Sequence, residues 1–594
     1  MNYKKIFFLL IFFYVNLFSQ YQVKSKYLTE PELAISFVDS CAKFWQKAWD
    51  NNSAGFYTNI SQTGTVLSSW GTNKDMLTQS RNAYGLTKAY MLTGNENYLL
   101  LANKSLQFMY QHAWDKINGG WFNSLNSTGS PININENKTA FYQHYALLGI
   151  SAYFEATRDT ATLNWLNKGI ESNEVHLWDT DEINFGYFDY GNSTWALRYN
   201  KSFNATVDAI TTHILNLYSL TNDEYYKDRL LKLSDNIISH LSSSMDQQQI
   251  GFAEKYNKYW QPLSGERLTI MGHVLKSAWC LARVYQLEPN ESYLANAKKL
   301  FNHVVEKGYD KKFGGPYKDY DRITGQMQMW GNPDTAKAWW QMEQAVVAGL
   351  QLYDLTQDDF YLKIADETLD FFMRYFVDHI YGEVYENRTR IGNETWGEHK
   401  GNGAKAGYHS IELGFYNYVY GNLFYKNSPV KLFYKIEPVD FSRILDLVPL
   451  AITSSKIKIS LVKLNGEDFL SFDGTKINLP SNIGGKFEVI FERTKPNDVD
   501  NFTSNIVAQY NLNQNYPNPF NSTTKISYSI PSPEKVNLAI FDILGRRIAN
   551  LEDSHKIQGF HTVEFNAENL PSGIYFCRLK AAGIQKTIKI VLLR

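Results

Sequence analysis

Four short stretches of this chain gather the residue types that can move protons and grip sugars. They are Gln79-Ser80-Arg81-Asn82-Ala83-Tyr84, the run from Gly272-His273 to Trp279, Lys337-Ala338-Trp339-Trp340-Gln341-Met342-Glu343, and Lys405-Ala406-Gly407-Tyr408-His409-Ser410. Imidazole changes charge near neutral pH, so a histidine can take or return a proton at little cost. A guanidinium can hold an oxyanion, and indole rings suit the C–H faces of a sugar. The carboxylates offer a different chemistry. Asp208 with Glu343, or Asp208 with Asp321, could form the acid–base pair of a glycosidase, whose outcome depends on their separation.

Residues so far apart in sequence need a scaffold, and the chain announces one. A glycine turn running into an aromatic or apolar residue recurs at Gly55, Gly120, Gly186, Gly251, Gly315 and Gly382, in steps of 65, 66, 65, 64 and 67 residues. Six marks at a near-constant period define a repeat architecture. Each period holds two helix-like runs, such as Thr78 to Leu92 and Glu96 to His112, with apolar residues three and four apart. Asp50, Asp115, Asp181, Asp246, Asp310 and Asp378 precede the glycines, where a side chain can help the turn. Six helical hairpins can stack openly or close on themselves. The sequence is read here as closed, an all-α (α/α)6 barrel over residues 30–425, with the glycine loops at one mouth and their rings lining a cleft or packing the loops.

On that scaffold the four stretches, in this order, resemble the N-acylglucosamine 2-epimerase family, which includes cellobiose 2-epimerases and mannose isomerases. The resemblance spans roughly Phe37 to Tyr425 and implies proton abstraction beside a sugar carbonyl. It makes His273 and His409 the acid–base pair, Arg81 the group that stabilises the enediolate, and Trp339 and Trp340 the sugar platform; Asn204, Asp208, Glu343 and Tyr408 join them as substrate-binding residues. The chain departs from the family in four places. Lys276 stands where a glutamate usually follows the first histidine by one turn, and a cation there favours neutral imidazole. Asn204-Ala-Thr-Val-Asp208 replaces an Asn-x-x-x-His run with a carboxylate. The tryptophan pair fits two registers, one of which aligns Trp339 with the family's second ring and restores Gln341 and Glu343. The tryptophan before the last Tyr-His is missing around Ala404.

Outside the helical region the texture changes. Residues 433–494 alternate apolar and polar, as in Lys456 to Leu461 and Phe487 to Phe491, with Asn465-Gly466 as a turn, and read as a small β module. A polar linker covers 495–511. Asn515-Tyr516-Pro517-Asn518-Pro519-Phe520-Asn521, Phe541-Asp542-Ile543-Leu544-Gly545-Arg546-Arg547 and Leu570-Pro571-Ser572-Gly573-Ile574-Tyr575-Phe576 then resemble the C-terminal sorting domain of the type IX secretion system. That resemblance covers 512–594 and implies a β-sandwich handled by the type IX machinery; a sugar-binding module is the alternative for this segment. At the other end Lys4-Lys5, an apolar run from Ile6 to Phe18 and Ser19 form a secretory signal peptide over 1–19, too short for a membrane anchor.

Together these features describe a multi-domain protein exported across the outer membrane of a Gram-negative bacterium, with no spanning segment once the leader is removed. A net charge of −1 argues against a nucleic-acid partner, and aromatic content of 15% fits a mono-, di- or oligosaccharide ligand. Cys41, Cys280 and Cys577 are scattered, so no disulfide framework is expected. His112, His144 and His213 sit on ordinary helix faces, and His399 beside Glu398 reads as a solvated loop; no metal and no cofactor are expected. Two further readings remain open at this stage, a glycoside hydrolase on the same barrel and a non-catalytic glycan-binding surface protein.

Overall fold

The computed structural model describes residues 21–494 and 510–593, except positions 248, 249, 330, 513, 516, 517, 531, 532, 557 and 558. The expected signal peptide and most of the expected linker lie outside the described residues. The chain divides into two compact units, one up to Arg493 and one from Thr494.

In the first unit helices alternate between an inner and an outer ring. The inner ones are Met76–Thr93, Ala140–Thr157, residues 204–221, Met271–Leu287, Trp339–Thr356 and His409–Tyr420. Their flanks are buried nearly all round, as expected of helices enclosed by others. Outer partners such as Glu96–His112 and Asp359–Tyr375 bury one face and begin at Asn95 and Asp358, whose side chains cap the helix N-terminus. The last inner helix returns to the first. Tyr84 donates a 2.7 Å hydrogen bond to Glu412, and a Cβ added at Gly85 would stand 1.8 Å from the carbonyl oxygen of Gly407. Only glycine permits that approach, so the closing contact is written into Gly85.

The glycine loops join each outer helix to the next inner one. All six marked glycines have positive φ, from 61° at Gly251 to 123° at Gly186. Trp49 pairs with Phe56, Trp114 with Trp121 and Tyr309 with Pro316 across these small hairpins. The pairing turns the rings inward: Phe56, Trp121, Tyr187 and Phe252 are buried in the core, so these loop aromatics pack the loops and do not line the cleft.

A feature absent from the sequence reading holds the loops down. Two or three residues ahead of an inner helix stands a fully buried lysine, whose ammonium bonds the loop aspartate and a loop carbonyl. Lys74 does so with Asp50 at 2.7 Å, Lys138 with Asp115 at 2.7 Å, and Lys201 with Asp179 at 3.0 Å. Lys337 binds Asp310 at 3.1 Å, and Lys400 serves Asp378 at 2.6 Å in the sixth repeat. The third repeat corrects the expected aspartate from Asp181, which only receives the amides of Ile183 and Asn184, to Asp179. Thr269 takes the lysine's place in the fourth repeat, and the Asp246 side chain lies outside the described part.

Strands Val430–Ile436, Ile457–Leu464 and Gly485–Arg493 form most of a four-stranded sheet, with Asn465 and Gly466, both at positive φ, closing a tight hairpin. Leu432, Tyr434 and Val489 join the same apolar cluster as the helices. Lys486 donates to the Gly94 carbonyl and Arg158 to that of Asp446. The β module therefore starts at Val430 and shares the helical core at the C-terminal ends of inner helices.

In the second unit, strands Thr523–Ile530 and Gly559–Asn566 belong to one antiparallel sheet, and Glu534–Phe541, Arg547–Lys556, Gly573–Ala581 and Ile584–Leu592 form another. Ile526, Tyr528, Leu538, Ile540, Cys577 and Ile590 from both sheets make one core. The middle motif is a hairpin turn in which Asp542 accepts the amides of Leu544 and Arg546.

Candidate active site

The N-terminal turns of the inner helices surround a cavity of about 430 Å³. Its wall contains Arg81, His273, Trp339, Trp340, Asn204, Asp208 and His409, together with Phe141, Tyr142, Tyr145, Lys276, Gly403 and Ala404. Seven of the nine residues singled out from sequence thus meet at one place. Glu343 and Tyr408 do not line the cavity; each is 1% exposed or less and stands behind His409. Asp321 lies outside the cavity too, bonded to Arg267 at 2.7 Å, so Asp208 is the one carboxylate among the described lining residues.

Each histidine is braced by a glutamate. His273, third residue of its helix, has Nδ1 2.7 Å from Glu254 Oε2, and its ring stacks on Phe203 at 3.8 Å. His409, first residue of its helix, has Nδ1 3.2 Å from Glu343 Oε2. Holding Nδ1 fixes the ring and leaves Nε2 for other work. Trp340 adjoins both, 5.2 Å from the His273 ring and 6.0 Å from that of His409. Trp339 and Glu343 lie one turn apart on the same helix.

The expectation for Lys276 changes here. Its ammonium does not face His273; it lies a turn deeper and donates to Asp208 at 2.6 Å and to the Tyr145 hydroxyl at 3.0 Å. The group that orients His273 is Glu254, three residues beyond Gly251. That position is polar in other repeats as well: Thr58 accepts the amide of Asp75, Asn123 that of Leu77, and Glu254 that of Ile270. The repeat was the signal that could have found it.

Burial sets the charges. It pushes the His409 imidazole well below its usual pKa, helped by Arg81, Lys276 and Lys405. Burial and the neighbouring Glu412 likewise push the Glu343 carboxyl well above the carboxylate range. Both shifts favour the neutral forms, a carboxyl at Glu343 beside an uncharged imidazole at His409. Glu343, His409 and Glu412 offer ligand atoms within 4.8 Å of one another and could hold a cation. Glu343 Oε1 and Glu412 Oε2 have no hydrogen-bond partner, and a proton between the carboxyl groups would satisfy both. Arg81 is 5% exposed, packs over the Tyr145 ring at 4.6 Å and donates to the Ala404 carbonyl; its Nε has no partner. His399 is not merely solvated, since its Nε2 lies 2.9 Å from Glu386 and its ring 4.7 Å from Trp70.

The profile of the N-acylglucosamine 2-epimerase (GlcNAc 2-epimerase) family matches residues 55–412, and that of the secretion system C-terminal sorting domain matches 514–593. A cellobiose 2-epimerase of Bacteroides fragilis is 22% identical over 375 residues, 62% of this chain and 93% of the relative. A D-mannose isomerase of Marinomonas mediterranea is 23% identical over 376 residues, 60% of this chain and 89% of the relative. The solved structure of cellobiose 2-epimerase from Spirochaeta thermophila superposes with a TM-score of 0.59 at 20% identity, covering 67% of this chain and 99% of that one; that of a D-mannose isomerase gives the same figures. With its helical region matched over 358 residues (55 to 412), the chain belongs to the N-acylglucosamine 2-epimerase family and ends in a secretion-system sorting domain.

Proposed function

We propose that the protein is an exported sugar epimerase or isomerase that transfers a proton at C2 of an aldose or of a disaccharide's reducing end. The observation that carries this reading is the pair of glutamate-braced imidazoles, His273 and His409, both beside Trp340 in one cavity with Arg81 in its wall. An open-chain aldose has an acidic C–H at C2. When one imidazole takes that proton on Nε2, the C–H electrons move into the carbonyl and its oxygen becomes an enediolate oxyanion. The other imidazole returns a proton to C2 from the opposite face and gives the epimer; protonation at C1 gives the ketose. The reaction is reversible, so each histidine serves as base in one direction and acid in the other.

Arg81, with Nε uncommitted, supplies a preorganised charge for the oxyanion. The inner helices direct their N-terminal ends at the same space, which favours negative charge there. Trp339 and Trp340 offer apolar faces to the sugar, and Asn204 and Asp208 offer polar groups to its hydroxyls. Glu343 and Tyr408 act from behind as supports of His409. The relatives named as cellobiose 2-epimerase and D-mannose isomerase support this class of chemistry. The sorting domain supports delivery by the type IX machinery to the cell surface or the medium. Incubation with mannose, cellobiose and N-acetylglucosamine in heavy water, followed by proton NMR, tests the reading: the C2 proton signal should fade as an epimer or ketose appears.

A further inference from the structure

Lys276 has no part in the scheme above, yet it lines the cavity and is only 2% exposed. Its ammonium carries three N–H bonds. One goes to Asp208 Oδ1 at 2.6 Å and one to the Tyr145 hydroxyl at 3.0 Å. Asp208 is itself held in place, because its other oxygen accepts from Asn204 at 2.8 Å. The third N–H is left for the cavity. Burial works against the charge, but Asp208 and Tyr145 outweigh it and raise the amine above its ordinary pKa, so Lys276 is a cation throughout the neutral range.

The charges on the wall do not balance. Arg81 and Lys276 flank Tyr145, the first over its ring at 4.6 Å and the second at its hydroxyl. Against these two cations stands Asp208, the one carboxylate among the described lining residues. A wall with one excess positive charge discriminates between a neutral sugar and an intermediate that carries one negative charge.

We propose that Lys276 is a catalytic residue that touches the substrate: its free N–H donates to an oxygen at the sugar's reacting end and, with Arg81, holds the enediolate. Asp208, Asn204 and Tyr145 are positioning residues that aim the ammonium. Lys276 keeps its proton throughout; the C2 proton passes only to and from the histidines. This inference rests on the proton-transfer reading.

The test uses the full chain, the sugar that exchanges fastest among mannose, cellobiose and N-acetylglucosamine, and steady-state exchange at C2. Lys276→Gln lowers kcat by about 10²–10³-fold, the effect of losing one oxyanion donor, with KM within about threefold. Asp208→Asn with Lys276→Gln removes both buried charges at similar volume; it retains the circular dichroism of the unmutated protein and shows the same loss of kcat. Lys276→Arg restores part of the rate. A folded double variant with kcat within threefold of the unmutated protein overturns the proposal alone, as does a raised KM with kcat unchanged, which would make Lys276 a ground-state contact. No exchange by the unmutated protein with any sugar overturns the functional reading and this proposal together.

Discussion

The two histidines face the same cavity under different electrostatics. His409 is 5% exposed beside Glu343, whose carboxyl burial and Glu412 push upward, whereas the His273 side chain is 15% exposed against Glu254 and a phenylalanine face. His409→Asn is expected to lower C2 exchange by about 10²–10⁴-fold, the usual worth of a positioned acid–base group. Glu254→Gln keeps the shape and removes the charge that orients His273, so its loss in kcat is smaller; rates of the two purified variants check the order. Arg81, His273, His409 and the tryptophans were legible in the sequence because each sits in the first turns of an inner helix beside a recognisable short motif. Glu254 was not, since it reaches His273 from a loop nineteen residues earlier (254 to 273). Glu343 was singled out as a substrate-binding residue, and the structure sets it behind His409, because sequence spacing gives a helix face and not the depth at which that face is buried.

At the scale of elements, the glycine loops and the inner helices are joined by the buried lysine clamps. Lys138 and Asp115 are 0% and 5% exposed, and Lys138 also binds the carbonyls of Gly119 and Ser193. Removing one partner of such a pair strands a buried charge. Lys138→Met is therefore expected to cost about 3–5 kcal/mol in urea unfolding; a cost below about 1 kcal/mol, the range of exposed pairs, would mean that solvent reaches Asp115. Helix rhythm, glycine period and the Asn465-Gly466 turn were readable from residue pattern alone. The clamps were hidden because lysine is ordinarily a surface residue, and nothing local marks Lys74, Lys138, Lys201 or Lys337 as buried. The direction of the loop rings was hidden for a related reason: strand-like pairing across each loop, and not its composition, decides which side faces the core.

For the whole molecule, acid should loosen the first unit in two steps. His144, His213 and His409 are buried and favour the neutral form; burial lowers His213 to about 3. A histidine with a depressed folded pKa contributes stability above its unfolded value near 6.5 that is lost as pH falls toward the folded one. Asp50, Asp310 and Asp378, which their lysine and other partners lower to about 2 against the cost of burial, hold their contribution until the pH falls below about 4. Calorimetry should show Tm falling by about 5 °C between pH 7.5 and pH 5, with a smaller fall in His213→Gln; an unchanged Tm would contradict neutral burial of the histidines. The sorting domain is a separate compact unit with its own core. Deleting residues 510–594 is expected to leave C2 exchange unchanged and to retain the protein inside the cell envelope, which fractionation of the native host would reveal.

The most direct test of the account is the fate of the C2 proton. The purified chain, incubated with mannose, cellobiose or N-acetylglucosamine in heavy water, should replace that proton with deuterium and form an epimer or ketose, and His409→Asn should do neither. Shortened glycans with the C2 proton retained, or no change in any sugar, would contradict it.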